Sequence, residues 1–314
     1  MKLATFSTRD GPKIGVVDLD RNAILDLAAA GLKVDGRSDA DFVSMEALIG
    51  AGADGLAKAA ALAGAWPADC AVPLKSARLM SPFPVPPQMR DCLVFEQHLV
   101  NAQKQWEKMT GKPAAGVPEV WYQRPTWYKC NRFSFVGHET DVQWPPYAEL
   151  MDFECELACV IGRKGANISA ADASDYIFGY TIFNDFSARD VQVVERPLGM
   201  GPMKGKDFDT GNVLGPWIVT ADEIGDPQAL WMEARVNGER WGGGISSEMH
   251  HSFAEILAFI SQSETLYPGE LIASGTVPTG CGLELGRFLQ PGDVVELEIE
   301  KIGVLRNRIV RAES

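Results

Sequence analysis

The run Met151–Gly162, MDFECELACVIG, constrains the fold more than any other stretch of the chain. Phe153, Cys155 and Leu157 alternate with Asp152, Glu154 and Glu156, the period of a strand whose successive side chains leave opposite faces. Carboxylates at i, i+2 and i+4 stand about 6.7 Å apart along such a strand and repel one another. Two readings are open from these residues. One is the solvated face of an antiparallel strand. The other is a hard divalent cation held by Glu-x-Glu oxygens, which removes the repulsion.

The chain has 314 residues and 46% hydrophobic composition, enough for one large domain and a small one. Its net charge of −13 argues against nucleic acid and against anionic membrane surfaces, both of which require basic patches. An anionic substrate then needs local cations or a metal. The beginning, MKLATFSTRDGPKIGVVDLD, lacks the apolar core of a signal peptide, and no apolar run reaches the length of a membrane span. Cys70, Cys92, Cys130, Cys155, Cys159 and Cys281 show neither zinc spacing nor a compact disulfide framework. These features predict a reduced, cytoplasmic protein.

Read in order, the chain begins with short strands at Lys2–Phe6, Lys13–Asp18 and Ala23–Asp26. Two helices follow between Asp39 and Gly64, parted at Gly50-Ala51-Gly52, and a strand at Val72–Leu79. The proline-rich Ser81–Pro87 reads as a rigid linker, so a boundary is expected near residue 80: a small α/β domain over 1–80 and a larger one over 81–314. A helix is expected from Phe95, with Phe95, Leu99, Ala102 and Trp106 on one face. Aromatic strand pieces are expected at Val120–Tyr122 and Thr126–Cys130, and a helix at Ser169–Asp175. A strand at Ile177–Asn184 and a helical turn at Asp190–Arg196 come next. Strands at Pro216–Val219, Leu230–Val236 and Glu239–Gly243 follow, the last two joined by Asn237-Gly238. An amphipathic helix at Ser252–Ser261 precedes closing strands that include Val294–Ile299. Strands outnumber helices without regular alternation, which excludes a doubly wound sheet and predicts a β-rich α+β fold.

Four further places gather polar residues at strand ends or loops. Asp91 and His98 straddle a loop and the start of a helix, where His98 is either a base or a helix-surface residue. Asp185 ends an apolar strand in Asn184-Asp185-Phe186-Ser187-Ala188-Arg189-Asp190, as a ligand or as the N-cap of a following helix. Lys204-Gly205-Lys206-Asp207 offers a cation beside a glycine, without the spacing of a phosphate loop. Ser274-Gly275-Thr276 to Glu284 reads as a loop approaching a ligand, with Glu284 also explicable as the outward residue of a strand. His250 and His251 are adjacent and face different directions, which disfavours a shared metal.

Together MDFECEL, NDFSARDVQ at Asn184–Gln192, GKDFDTG at Gly205–Gly211 and SGTVPTGCGLEL at Ser274–Leu285 resemble the fumarylacetoacetate hydrolase family over roughly residues 80–310. The resemblance implies a mixed β-sandwich roll, often preceded by a small N-terminal domain, and a homodimer. It implies Mg2+, or Mn2+ or Ca2+ in its place, held by Glu154, Glu156, Asp185 and Asp91. It also implies His98 as base, Glu284 as the group that orients it, and Arg189, Gln192, Lys206 and Thr276 around the substrate and oxyanion. Tyr128 stands nearest to a substrate-binding tyrosine of the family. Asp152 falls outside the implied ligand set.

The expected activity is metal-dependent hydrolysis of a carbon–carbon bond in a small 1,3-diketo or 2,4-dioxo acid, with water activated by His98. The alternative is a lyase, decarboxylase, dehydratase or isomerase working on a 2-oxo or sugar acid through an enolate. A non-catalytic binding protein is the reading from another class, and the intact Glu154, Glu156 and Asp185 set argues against it. Two departures, Leu93 where a tyrosine is expected and Lys104 as the nearest match to an expected arginine, imply a substrate other than fumarylacetoacetate.

Overall fold

The structure is a computed structural model and describes residues 1–311. Its backbone is a long mixed sheet, with twelve strands among the described residues. The main path runs Ala71–Pro73, Ala23–Asp26, Gly11–Asp18, Lys2–Thr8, Asn212–Thr220, Ile177–Asp185, Cys155–Ile161, Leu271–Ala273, Met89–Cys92 and Trp127–Lys129. A second, five-stranded sheet comprises Glu239–Ile245, Trp231–Val236, Val294–Ile299, Gly303–Val310 and Val142–Gln143 in that order.

Alternation along the strands builds two cores. Leu157, Cys159 and Ile161 pack in one cluster with Met232, Ala234, Val295, Leu297 and Leu305 of the second sheet. Ala158 and Val160, one residue out of phase, pack in the other with Phe42, Met45, Leu48 and Leu62 of the N-terminal helical segment. The strand Cys155–Ile161 is buried along its whole length, as a strand covered on both faces must be. The result is the β-rich α+β fold that the sequence predicts, with two sheets face to face and helices over the outer side of the large one.

The first 80 residues contribute strands to this same large sheet. Lys2 and Leu3 pair with Val219 and Ile218, so the hydrogen-bonded ladder continues from one side of residue 80 to the other. The proline-rich segment carries Phe83 fully into the core beside Leu3 and Leu271, and Ser81 Oγ donates to Phe83 O at 2.7 Å.

Several local expectations are met closely. The helices Met45–Gly50 and Gly52–Ala65 part where Gly52 adopts φ +60°, and Asn237-Gly238 turns the expected hairpin. Ser252 and Glu255 form a reciprocal capping box on the helix Phe253–Ile260. Others need correction. Val72–Leu79 is two short strands about a 3-10 turn, because Pro73 has no N–H to extend the ladder. Val120–Tyr122 lies in a helix, Glu119–Gln123, where Pro118 fixes the entry and Glu119 complements the N-terminal dipole. The helix expected over Ser169–Asp175 is a 3-10 turn at Ala173–Tyr176, since Ser169 and Asp172 bond each other's side chain and backbone instead. Among the described residues no helix is long and apolar enough to cross a membrane.

Candidate active site

The acidic stretch is not one continuous strand. Met151 and Asp152 pair with Ala188 and Ser187 in a small ladder of their own. The chain rejoins the large sheet at Cys155, opposite Asn184. Between them Glu154 forms an isolated antiparallel bridge with Cys281, and its N–H donates to the Asn184 side chain at 3.1 Å. The break separates the acids into two tasks. Asp152 accepts from the N–H groups of Gly282 (2.7 Å) and Leu283 (2.9 Å) and from Arg189 Nε (2.8 Å), anchoring the turn of helix Gly282–Leu285. That helical turn also replaces the strand considered for Glu284.

Glu154 and Glu156 point elsewhere. The register sets Ala273 opposite both Ala158 and Asp91, which brings Met89–Cys92 to the same end of the sheet as the acidic strand and Asp185. Asp91, Glu154, Glu156 and Asp185 are all buried, and each offers an oxygen within 4.8 Å of the others. Asp185 sits at the end of its strand as a member of this cluster; the helix Arg189–Glu195 that follows has Ala188 at its N-cap.

Two cations face these acids. Lys206 Nζ lies 2.6 Å from Glu154 Oε2 and 2.5 Å from Asp185 Oδ2. Arg189 bonds Glu154 Oε1 at 2.8 Å, Asp152 as above, and Gln192 Oε1 at 3.0 Å. Both are thus engaged by carboxylates at the wall of the site. Neutral donors fill part of the remainder. Tyr128 donates its hydroxyl to Asp185, while Gly275 N (3.1 Å) and Thr276 Oγ1 (3.3 Å) donate to Glu156. Among the described residues, Asp91 Oδ1 and Asp185 Oδ1 have no hydrogen-bond partner.

The balance of charge shows in proton affinities. Burial, then the charge of Asp185, pushes the Asp91 carboxyl well above the usual range, and burial with Asp91 does the same to Glu156. Burial acts on Glu154 in the same sense, yet Lys206 and Arg189 overcome it and hold that carboxyl low. A buried set of four carboxylates with two orphaned oxygens is the donor chemistry of a hard divalent cation. The residues present fit such an ion.

His98 enters from the helix Glu96–Thr110, near its first turn. Its Nδ1 is 2.7 Å from Glu284 Oε1, leaving Nε2 as the ring nitrogen available to a substrate. His98 shares one cavity of about 360 Å3 with Asp91, Glu154 and Glu156. Leu93, Leu99, Trp127 and Leu283 give it apolar walls, and Tyr128, Arg189, Gln192, Lys206 and Thr276 also line it. Every residue expected at the site therefore borders the cavity or touches one that does. His250 and His251 do not: their Nε2 atoms bond the carbonyls of Tyr122 and Trp121, each at 3.1 Å. Sequence reasoning missed Asn101, whose Nδ2 donates to Glu284 Oε2 at 2.8 Å, and the anchoring task of Asp152. The i, i+3 spacing of His98 and Asn101 on a helix was the available signal for the first.

The model of the fumarylacetoacetate (FAA) hydrolase C-terminal domain matches residues 90–310. Among curated proteins, the human mitochondrial oxaloacetate tautomerase FAHD2A is 42% identical over 179 residues, 56% of each chain. The chain thus spans about half the length of the curated relatives it matches. Among solved structures, a 5-carboxymethyl-2-hydroxymuconate delta-isomerase from Mycobacterium smegmatis aligns over 99% of this chain and 100% of its own, with TM-score 0.71 and 27% identity. A maleylpyruvate hydrolase from Sphingobium sp. SYK-6, in complex with manganese(II) ion and pyruvate, covers 100% of both chains with TM-score 0.74 and 25% identity.

Proposed function

The chain belongs to the fumarylacetoacetate hydrolase family, and from that membership we propose that it is a divalent-metal-dependent enzyme interconverting a small 2-oxo acid with its enol. The observation that carries this reading is the His98–Glu284 pair bordering the same cavity as the four-carboxylate cluster. A divalent ion, Mg2+ or Mn2+, held by Asp91, Glu154, Glu156 and Asp185, supplies Lewis-acid polarisation of substrate oxygens when bound.

The chain's own residues do the rest. His98 Nε2 takes a proton from the carbon next to the carbonyl and returns it to the other position. Glu284 fixes the Nδ1–H tautomer and stabilises the imidazolium that forms. Gln192, Thr276 and Tyr128 orient the acid through hydrogen bonds at the cavity wall, and Leu93, Leu99 and Trp127 limit water there. Tautomerisation needs one base and no water, and the 42% identity to oxaloacetate tautomerases supports it over other reactions of the family.

Hydrolysis of a carbon–carbon bond in a 2,4-dioxo acid is the second reading, favoured by the likeness to the maleylpyruvate hydrolase. There His98 would deprotonate water instead of carbon. One experiment separates the two: oxaloacetate and a panel of 2,4-dioxo acids, with Mg2+ or with EDTA, followed by enol absorbance and product mass. Altered enol absorbance at unchanged mass supports tautomerisation. Two products carrying one added water favour hydrolysis. His98→Ala should lose turnover and keep metal binding; near-normal turnover would sink the base assignment.

A further inference from the structure

The Glu284 carboxylate is fully buried, and its two oxygens are approached by four donors. Oε1 receives His98 Nδ1 at 2.7 Å and the Cys281 thiol at 3.6 Å. Oε2 receives Asn101 Nδ2 at 2.8 Å and Thr279 N at 2.9 Å. His98 and Asn101 are three apart on one helix, so a single helical face grips both oxygens of a carboxylate that comes from another element. The orientation of the Asn101 amide follows from chemistry. Gln97 Nε2 donates to its oxygen at 2.7 Å, and the reversed amide would aim that oxygen at a carboxylate.

We propose that Asn101, backed by Gln97, is a positioning residue that sets the basicity of the His98–Glu284 pair. The proposal rests on the reading of His98 as the base. A buried carboxylate with a histidine as its sole partner would be strongly basic and would hold a proton tightly on the imidazole. Each further donor spreads the negative charge of Glu284 and weakens that hold. Asn101 is the side-chain amide among those donors, and it shares its helix with the base, so it fixes the rotation of Glu284 relative to His98 at the same time.

The sign is definite. Loss of the Asn101 donor makes Glu284 more basic and stabilises protonated His98. The free base then forms only at higher pH, and the acid limb of the pH–rate profile moves up. The other charged or titratable groups lining the cavity with His98 are Asp91, Cys92, Tyr128, Glu154, Glu156, Arg189, Glu195, Arg196 and Lys206, and the Cys281 thiol faces Glu284; an Asn101 substitution leaves all of them in place.

The test is the pH dependence of kcat/KM for the Mg2+-loaded full chain, comparing wild type with Asn101→Leu, Gln97→Ala and His98→Ala. Asn101→Leu keeps the volume of the side chain without its donor, and its acid limb should rise by on the order of one pH unit. Gln97→Ala, an exposed change that spares folding, should raise it by less. An acid limb that stays in place or falls in both variants, whatever the loss of rate, overturns the proposal and leaves Asn101 a packing residue. His98→Ala with near-normal turnover would instead overturn the base reading itself, and that outcome is separate from an unmoved limb beside an inactive His98→Ala.

Discussion

Lys206 shows how a single side chain can balance two buried acids. Its ammonium is buried and sits between Glu154 and Asp185, two of the four acids that fit a divalent ion. Removing one member of a buried ion pair typically costs about 3–5 kcal/mol, because the other charge is left uncompensated. Lys206→Met is therefore expected to destabilise the protein in EDTA by about that amount. Saturating Mg2+ should restore much of the loss, since the ion takes over the compensation. Urea unfolding of both proteins with and without Mg2+ measures the difference; equal losses in the two conditions would show that lysine and metal do not share a role. At this scale much of the site was legible. Glu154 and Glu156 stand out as acids of a mostly apolar run, and Asp185 ends an apolar strand. Asp152 was harder, because the strand breaks after it, where Glu154 bridges Cys281 and bonds the Asn184 side chain, contacts distant in the chain that no periodicity reports.

The second sheet matters to the site through one loop. Thr279, in the left-handed region at φ +61°, gives its N–H to Glu284 Oε2, and its hydroxyl bonds Gly243 N (3.0 Å) and Gly243 O (3.2 Å). A Cβ on Gly242 would lie 1.9 Å from Thr279 O, so the strand Glu239–Ile245 approaches this loop as closely as only glycine allows. Gly242→Ala must push the loop away, and overpacking of this kind costs about 1–3 kcal/mol. Its larger effect should be on activity, because the loop carries one of the donors that hold Glu284. Kinetics at a temperature where the variant is fully folded by circular dichroism separates the two effects; full activity there would mean that the loop does not position Glu284. The strand itself was legible from the Asn237-Gly238 turn. The short helices at Glu119–Gln123 and Gly282–Leu285 were not, because one or two turns offer too few apolar positions to show a period of 3.6.

For the whole molecule, alternation and turn residues were enough to predict a β-rich α+β fold, since they report local pairing and burial. They could not report which distant strands share a sheet. The proline-rich segment marks a change of composition near residue 80, yet the pairing of Lys2 and Leu3 with Val219 and Ile218 runs across it. Leu3, Ile14, Val16 and Leu25 pack in the same core as Leu214 and Ile218 and as Ala158, Val160 and Phe183, the last three on strands that carry Glu156 and Asp185. A chain beginning at residue 81 keeps every residue of the candidate site but loses this cover. It exposes an apolar sheet face and the edge of Asn212–Thr220, the combination that promotes edge-to-edge association. Residues 81–314 expressed alone are therefore expected to aggregate, and coexpressed residues 1–80 should recover soluble material by restoring the missing strands. Size-exclusion chromatography and urea unfolding decide the matter. A monodisperse fragment that unfolds cooperatively would mean that the larger part folds on its own and that the N-terminal strands only dock onto a finished sheet.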